Sequence, residues 1–175
     1  MNEDAGLDRL NSLSSAEAEV EFLKCCGSKS WAGQMVSGRP FTSLDHMIDT
    51  ADRIWSSLDQ PDWLEAFHSH PKIGGKKAAA TTAVEAQKWS VEEQSGVEAA
   101  GADVLNALAE LNRAYEEKFG FIFIVCATGK SSTEMLELLR ERIENSPDVE
   151  LRNAATEQAK ITELRLRKLT EVRGS

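Results

Sequence analysis

The stretch that most restricts the fold is Phe121-Ile122-Phe123-Ile124-Val125-Cys126-Ala127, an unbroken apolar run of aromatic and β-branched residues flanked by Gly120 and Gly129. Local propensity alone makes such a run a buried strand. No second run of that character occurs in the sequence, and one strand cannot pair with itself. A buried backbone must still satisfy its N–H and C=O groups. The run at 121–127 is therefore an extended buried connection threaded through a helical core. The expected fold is an all-α, single-domain helical bundle.

The flanking sequence supplies the helices. Leu44, Met47, Ile48, Ala51, Ile54, Trp55 and Leu58 follow the i, i+3, i+4, i+7 pattern, with Thr42 or Ser43 as cap. Ser14 with Glu17, Ser90 with Glu93 and Ser131 with Glu134 each form a capping box that opens a helix. Gly27 stops the first of these, and a short turn of helix follows over Trp31–Val36. Another helix runs from Ala102 through Leu105, Leu108, Leu111 and Tyr115 to a stop at Gly120. Ser146-Pro147 begins a long final helix that places Leu151, Ala154, Ala155, Ile161, Leu164 and Leu169 inward. Residues 1–13 are expected to be a flexible leader, 14–171 the domain, and 172–175 a tail or the start of a linker.

Charge and cysteine usage exclude several classes. Acidic residues outnumber basic ones, 29 to 20, for a net charge of −9. A nucleic-acid binder needs a basic face, so none is expected. No apolar run reaches the roughly 20 residues that span a bilayer, and the polar N-terminus is unlike a secretory signal. Cys25, Cys26 and Cys126 are odd in number and lack CxxC spacing, which fits a reducing compartment, peroxisome or cytosol. Residues 72–88 carry Lys72, Lys76, Lys77 and Lys88 against Glu85 alone, either a solvated loop or a lure for an anionic substrate.

Chemistry concentrates near Trp63-Leu64-Glu65-Ala66-Phe67-His68-Ser69-His70-Pro71. Pro61 suits the first turn of a helix, and Pro71 penalises helical geometry at His70. His70 thus sits at a helix exit, either capping the last carbonyls or acting chemically. Glu93 is explained equally by its capping box and by a site role. Arg165 and Arg167 can be solvated helix charges. His68 and His70 stand two apart, which matches no common metal spacing, so no metal is expected.

Phe67-His68-Ser69-His70-Pro71-Lys72-Ile73-Gly74 resembles the A-H-P-x-[IL]-G box of the OHCU decarboxylases, which act on 2-oxo-4-hydroxy-4-carboxy-5-ureidoimidazoline between urate and allantoin. Ser90-Val91-Glu92-Glu93-Gln94 is similar to their S-x-x-E-Q box. The stretch from Leu111-Asn112 through Tyr115 and Lys118-Phe119-Gly120 to Ile124 resembles their L-N-x-x-Y-x-x-K-F-G-F-x-F-I signature. Arg142, Asn145, Glu150 and Ile161-Thr162-Glu163-Leu164-Arg165-Leu166 match the R-x-x-N, acidic and I-x-x-[LI]-R-[LM] positions. The boxes stand in family order over nearly the whole chain. The likeness is greatest to the decarboxylase half of plant bifunctional proteins, in which a transthyretin-like hydrolase domain follows.

The resemblance implies a cofactor-independent carboxy-lyase that gives (S)-allantoin, an all-helical homodimer with a fused or associated hydrolase domain as a further partner. It carries the proton donor onto His70 and the assisting carboxylate onto Glu93. Substrate contacts fall on Pro71, on Ser90, Val91, Glu92 and Gln94, on the backbone of Phe123, Ile124, Val125, Cys126 and Ala127, and on Arg165. The types suit the chemistry: an imidazole titrates near neutrality, a carboxylate can orient it, and a guanidinium holds a carboxylate or carbonyl. A non-catalytic helical interaction module, with the acidic surface as its binding face, is the competing class.

Overall fold

The structure is a computed structural model that describes residues 3–70 and 102–171. Among the described residues there are eight helices and no strand. They are α1 (Glu3–Ser12), α2 (Ser15–Cys25), α3 (Lys29–Ser37), α4 (Leu44–Ser57), α5 (Gln60–His68), α6 (Ala102–Phe119), α7 (Ser132–Arg142) and α8 (Pro147–Thr170). The all-α expectation holds. Two compact units divide the chain: the first comprises the part up to Ala66 and the part from Ala159 onward, the second Phe67–Gln158.

In the first unit α2 packs on α3, α3 on α4, and α1 on α4. Leu10, Phe22, Trp31, Met35 and Met47 are fully buried there. Phe22 meets Trp31 edge-on with centroids 6.1 Å apart, the favoured geometry for two aromatic quadrupoles. The caps are those expected. Ser14 and Glu17 close a reciprocal capping box, and Ser43 accepts from the His46 N–H. Ser28 caps α3, which is longer than the single turn expected over 31–36.

Residues 3–12 depart from expectation, for they form a helix where the polar sequence suggests a flexible leader. The cause lies far along the chain. Leu7 and Leu10 are buried, and the Asn11 side chain donates to the Phe41 carbonyl (2.9 Å) and accepts from the Phe41 N–H (2.8 Å). Arg39 Nη1 donates to the carbonyls of Leu10 and Leu13, satisfying acceptors that a helix end leaves open. At Gly6 a Cβ would fall 1.9 Å from the Thr170 carbonyl oxygen, so only glycine permits this approach to the end of α8.

The second unit is built around the apolar run. α6 ends at Phe119 and the chain turns at Gly120, whose φ of 83° is strained for any other residue type. Phe121 to Ala127 is neither helix nor strand, and all seven residues lie between 2% and 9% exposed. Tyr115 anchors it, with ring centroids 5.9 Å from Phe121 and 5.5 Å from Phe123. Side chains take the place of a partner strand. Arg142 Nη1 donates to the Ile124 carbonyl (2.6 Å), Glu157 accepts from the Cys126 N–H (3.0 Å), and Lys130 donates to the Cys126 carbonyl (2.9 Å). These answer the demand that buried backbone makes for partners.

Candidate active site

Helix α5 explains the placement of the imidazole. Its apolar face carries Ala66 and Phe67 into the interior, both fully buried. Beyond His68 the helix cannot continue into Pro71, and the His70 N–H closes the last turn on the Phe67 carbonyl at 3.2 Å. His68 is exposed, whereas His70 is half-buried and turned toward α8. There His70 Nε2 donates to Gln158 Oε1 at 2.6 Å, and Gln158 is fully buried. Carbonyl oxygen only accepts, so this bond requires a proton on Nε2.

Glu157, the neighbour of Gln158, contacts the other described part of the expected site through its bond from the Cys126 N–H. That amide is therefore already held by a carboxylate oxygen of the chain itself. Of the seven residues, Ile124 and Cys126 have backbone groups already held by side chains.

A buried ionic cluster fixes the segment from behind. Glu150, fully buried, accepts through one oxygen from Arg142 Nε (2.7 Å) and the Tyr115 hydroxyl (2.5 Å). Its other oxygen accepts from Asn145 (2.9 Å) and Asn153 (2.8 Å). Burial alone would raise its pKa, but the bonds from Asn145, Tyr115 and Asn153 and the Arg142 charge outweigh burial and lower it. Tyr115 moves the other way, held protonated by burial and by its bond to Glu150. The Arg142 guanidinium also lies over the Phe123 ring, 4.6 Å from its centroid.

Arg165 belongs to the first unit and is 4% exposed, whereas Arg167 is on the surface and pairs with Glu163 at 3.3 Å. The two arginines, alike by sequence, thus separate, and only Arg167 is a solvated helix charge. Arg165 lies near the thiols of Cys25 and Cys26. Burial pushes the Cys26 thiol up to about 12, against the lowering effects of the Ser28 backbone, Thr162 and Arg165. Both thiols stay protonated and unreactive at neutral pH. Pro71, Ser90, Val91, Glu92, Glu93 and Gln94 lie outside the described residues, as does the capping box of Ser90 and Glu93. Among the described residues no group of three or more His, Cys, Asp or Glu side chains could hold a metal ion.

Sequence reasoning missed Gln158 and Glu157. The signal was present for Gln158, a polar residue on the stripe formed by Leu151, Ala154, Ala155 and Ile161. A buried amide on an apolar stripe needs a partner, and here that partner is His70.

A profile described as OHCU decarboxylase matches residues 11–167. The chain belongs to the OHCU decarboxylase family. A crystal structure of an OHCU decarboxylase in the presence of (S)-allantoin superposes with a TM-score of 0.75 at 46% identity, covering 86% of this chain and 97% of that one. The uric acid degradation bifunctional protein TTL of Arabidopsis thaliana is 44% identical over 151 residues, 86% of this chain and 47% of its own length. A 2-oxo-4-hydroxy-4-carboxy-5-ureidoimidazoline decarboxylase of Haloferax volcanii is 26% identical, with 91% of this chain and 93% of its own length covered. The chain thus spans about half the length of the bifunctional plant relative. The family's all-helical fold is the one expected from the apolar run and the capping boxes.

Proposed function

We propose that this chain catalyses decarboxylation of 2-oxo-4-hydroxy-4-carboxy-5-ureidoimidazoline to (S)-allantoin in urate degradation, as a carboxy-lyase without cofactor. The observation that carries this reading is the likeness, at 46% identity over 97% of its length, to a decarboxylase solved in the presence of (S)-allantoin. The half-buried imidazole at the end of α5, bonded to the buried Gln158, supports it.

In the proposed reaction the bond from the ring carbon to the carboxylate breaks and CO₂ departs. The electron pair left behind enters the conjugated ring, and a proton added to one face of the ring gives a single-handed product. His70 supplies that proton, since an imidazole gives and regains one near neutrality. Glu93 orients and polarises the imidazole, as a carboxylate does for other catalytic histidines. Pro71, Ser90, Val91, Glu92 and Gln94, with the backbone of 123–127 and Arg165, hold the substrate. Arg165 suits a carboxylate or carbonyl because a guanidinium offers a planar fork of donors. We further propose a homodimer and a fused or associated transthyretin-like hydrolase, the latter supported by the bifunctional relatives. Free buried cysteines support a reducing compartment, peroxisome or cytosol.

The test is to add purified protein to freshly generated substrate and follow (S)-allantoin by circular dichroism. His70→Asn should slow turnover by roughly 10²–10⁴, the usual worth of general acid–base catalysis, with His68→Asn as an active control. Production of allantoin no faster than spontaneous decay would refute the activity. Wild-type turnover by His70→Asn would remove His70 from the mechanism and leave the activity standing.

A further inference from the structure

We infer that Gln158 is a positioning residue that fixes the tautomer and orientation of His70. The inference rests on the decarboxylase reading for its kinetic consequence, and on geometry alone for its structural one. Gln158 is fully buried on α8, and its amide oxygen lies 2.6 Å from His70 Nε2. A buried amide without a partner is costly, so the bond is held by both members. With the oxygen toward the ring, Nε2 carries the proton in the neutral imidazole.

An amide is the fitting partner for this task. A buried carboxylate in the same place would stabilise the imidazolium and hold the proton that the ring must release. A carbonyl oxygen selects the tautomer and the ring plane with far less bias toward the charged form. Glu157, one residue earlier, holds the Cys126 N–H at 3.0 Å. One turn of α8 therefore supports both the imidazole and the backbone expected to meet the substrate.

Nitrogen NMR of uniformly labelled protein decides the structural part. The chain has three histidines, and the His70 signals are those lost in His70→Asn. His46 is an internal standard, because its Nδ1 accepts from the Thr42 N–H at 3.1 Å and its proton must sit on Nε2. The expected result is the same tautomer for His70 above its titration, and a mixture of tautomers in Gln158→Met. An Nδ1–H tautomer in the wild-type protein would mean that the amide points the other way and would overturn the inference. Kinetically, Gln158→Met should lower kcat by about 10–100-fold, the usual cost of losing a residue that orients an active ligand, with KM nearly unchanged. Gln158→Glu, which keeps an oxygen acceptor, should restore the single Nε2–H tautomer without restoring kcat, because its charge holds the proton that the ring must release. A mixture of tautomers in Gln158→Glu, or a folded Gln158→Met with unchanged kcat, would also overturn it. Should Gln158→Met fail to fold, the wild-type tautomer and Gln158→Glu still decide. A wild-type protein that does not decarboxylate would refute the proposed activity, while the NMR would still judge the role of Gln158.

Discussion

Converting Glu150 to Gln perturbs the second unit at the point where most of its buried polar groups meet. The carboxylate is fully buried and takes four donors, two on each oxygen. An amide has one acceptor oxygen. Facing Arg142 and Tyr115, it turns its NH₂ toward the amide donors of Asn145 and Asn153. Facing the asparagines, it turns NH₂ toward the guanidinium and the hydroxyl. In either orientation two donors lose their acceptor, and the Arg142 charge remains buried without its counter-charge. Removing one member of a buried ion pair costs about 3–5 kcal/mol. In a chain of this size each kcal/mol lowers the melting temperature by about 2–4 °C, so the variant should melt roughly 6–20 °C lower.

The pH dependence gives this prediction a second edge. Hydrogen bonds and Arg142 lower the folded pKa of Glu150 below its ordinary value. A carboxylate with a depressed folded pKa contributes stability above the unfolded value, about 4.3. That contribution is lost as pH falls through the folded pKa, because protons then bind both states alike. The gap between wild type and Glu150→Gln, measured by urea denaturation, should therefore be full at pH 7 and narrow progressively below about pH 4. A variant melting within about 2 °C of wild type, or a gap independent of pH, would refute the claim that the charge of Glu150 organises this unit.

Gly6→Ala should destabilise the protein, although Ala favours a helix over Gly by about 1 kcal/mol. Its Cβ would overlap the Thr170 carbonyl, and a higher melting temperature would show that α1 is not docked there. Glu93→Gln should cost far more in turnover than in melting temperature if Glu93 polarises His70, whereas a pure capping role predicts at most about 1 kcal/mol of stability and little else. Ser90→Ala supplies the contrasting arm, removing the cap oxygen and keeping the carboxylate.

The local chemistry of helix ends was legible in the sequence. The boxes at Ser14 and Ser131, the cap at Ser43 and the stop at Gly120 are read within four residues of chain, and each stands as expected. Residues 3–12 were not legible, since their helix depends on Asn11 meeting Phe41 and on Arg39 meeting Leu10 and Leu13. Arg165 and Arg167 make the same point: two positions apart on one helix, they differ in burial because they face different surroundings. In the site, the helix exit at His70 followed from Pro71, but its partner Gln158 lies 88 residues away. Spacing rules see neighbours along a helix and have no access to such pairs.

The apolar run brings the local and the distant together. Its composition asks for a strand, and a strand asks for partners that this sequence does not encode. The fold resolves the conflict with side chains, using Arg142 for the Ile124 carbonyl, and Glu157 and Lys130 for the two backbone groups of Cys126. That solution places charges inside a core, and a buried charge must itself be compensated. Glu150 neutralises Arg142, and Asn145, Asn153 and Tyr115 complete the carboxylate. Replacing Arg142 and Glu150 together with apolar residues, often harmless for a buried ion pair, would here leave the Ile124 carbonyl without its donor at a cost of about 1–3 kcal/mol. The ionic cluster thus follows from the decision to bury a strand-like segment without a sheet. The same decision gives the second unit a rigid backbone whose amides are reached by side chains from α8, the helix that also holds the imidazole.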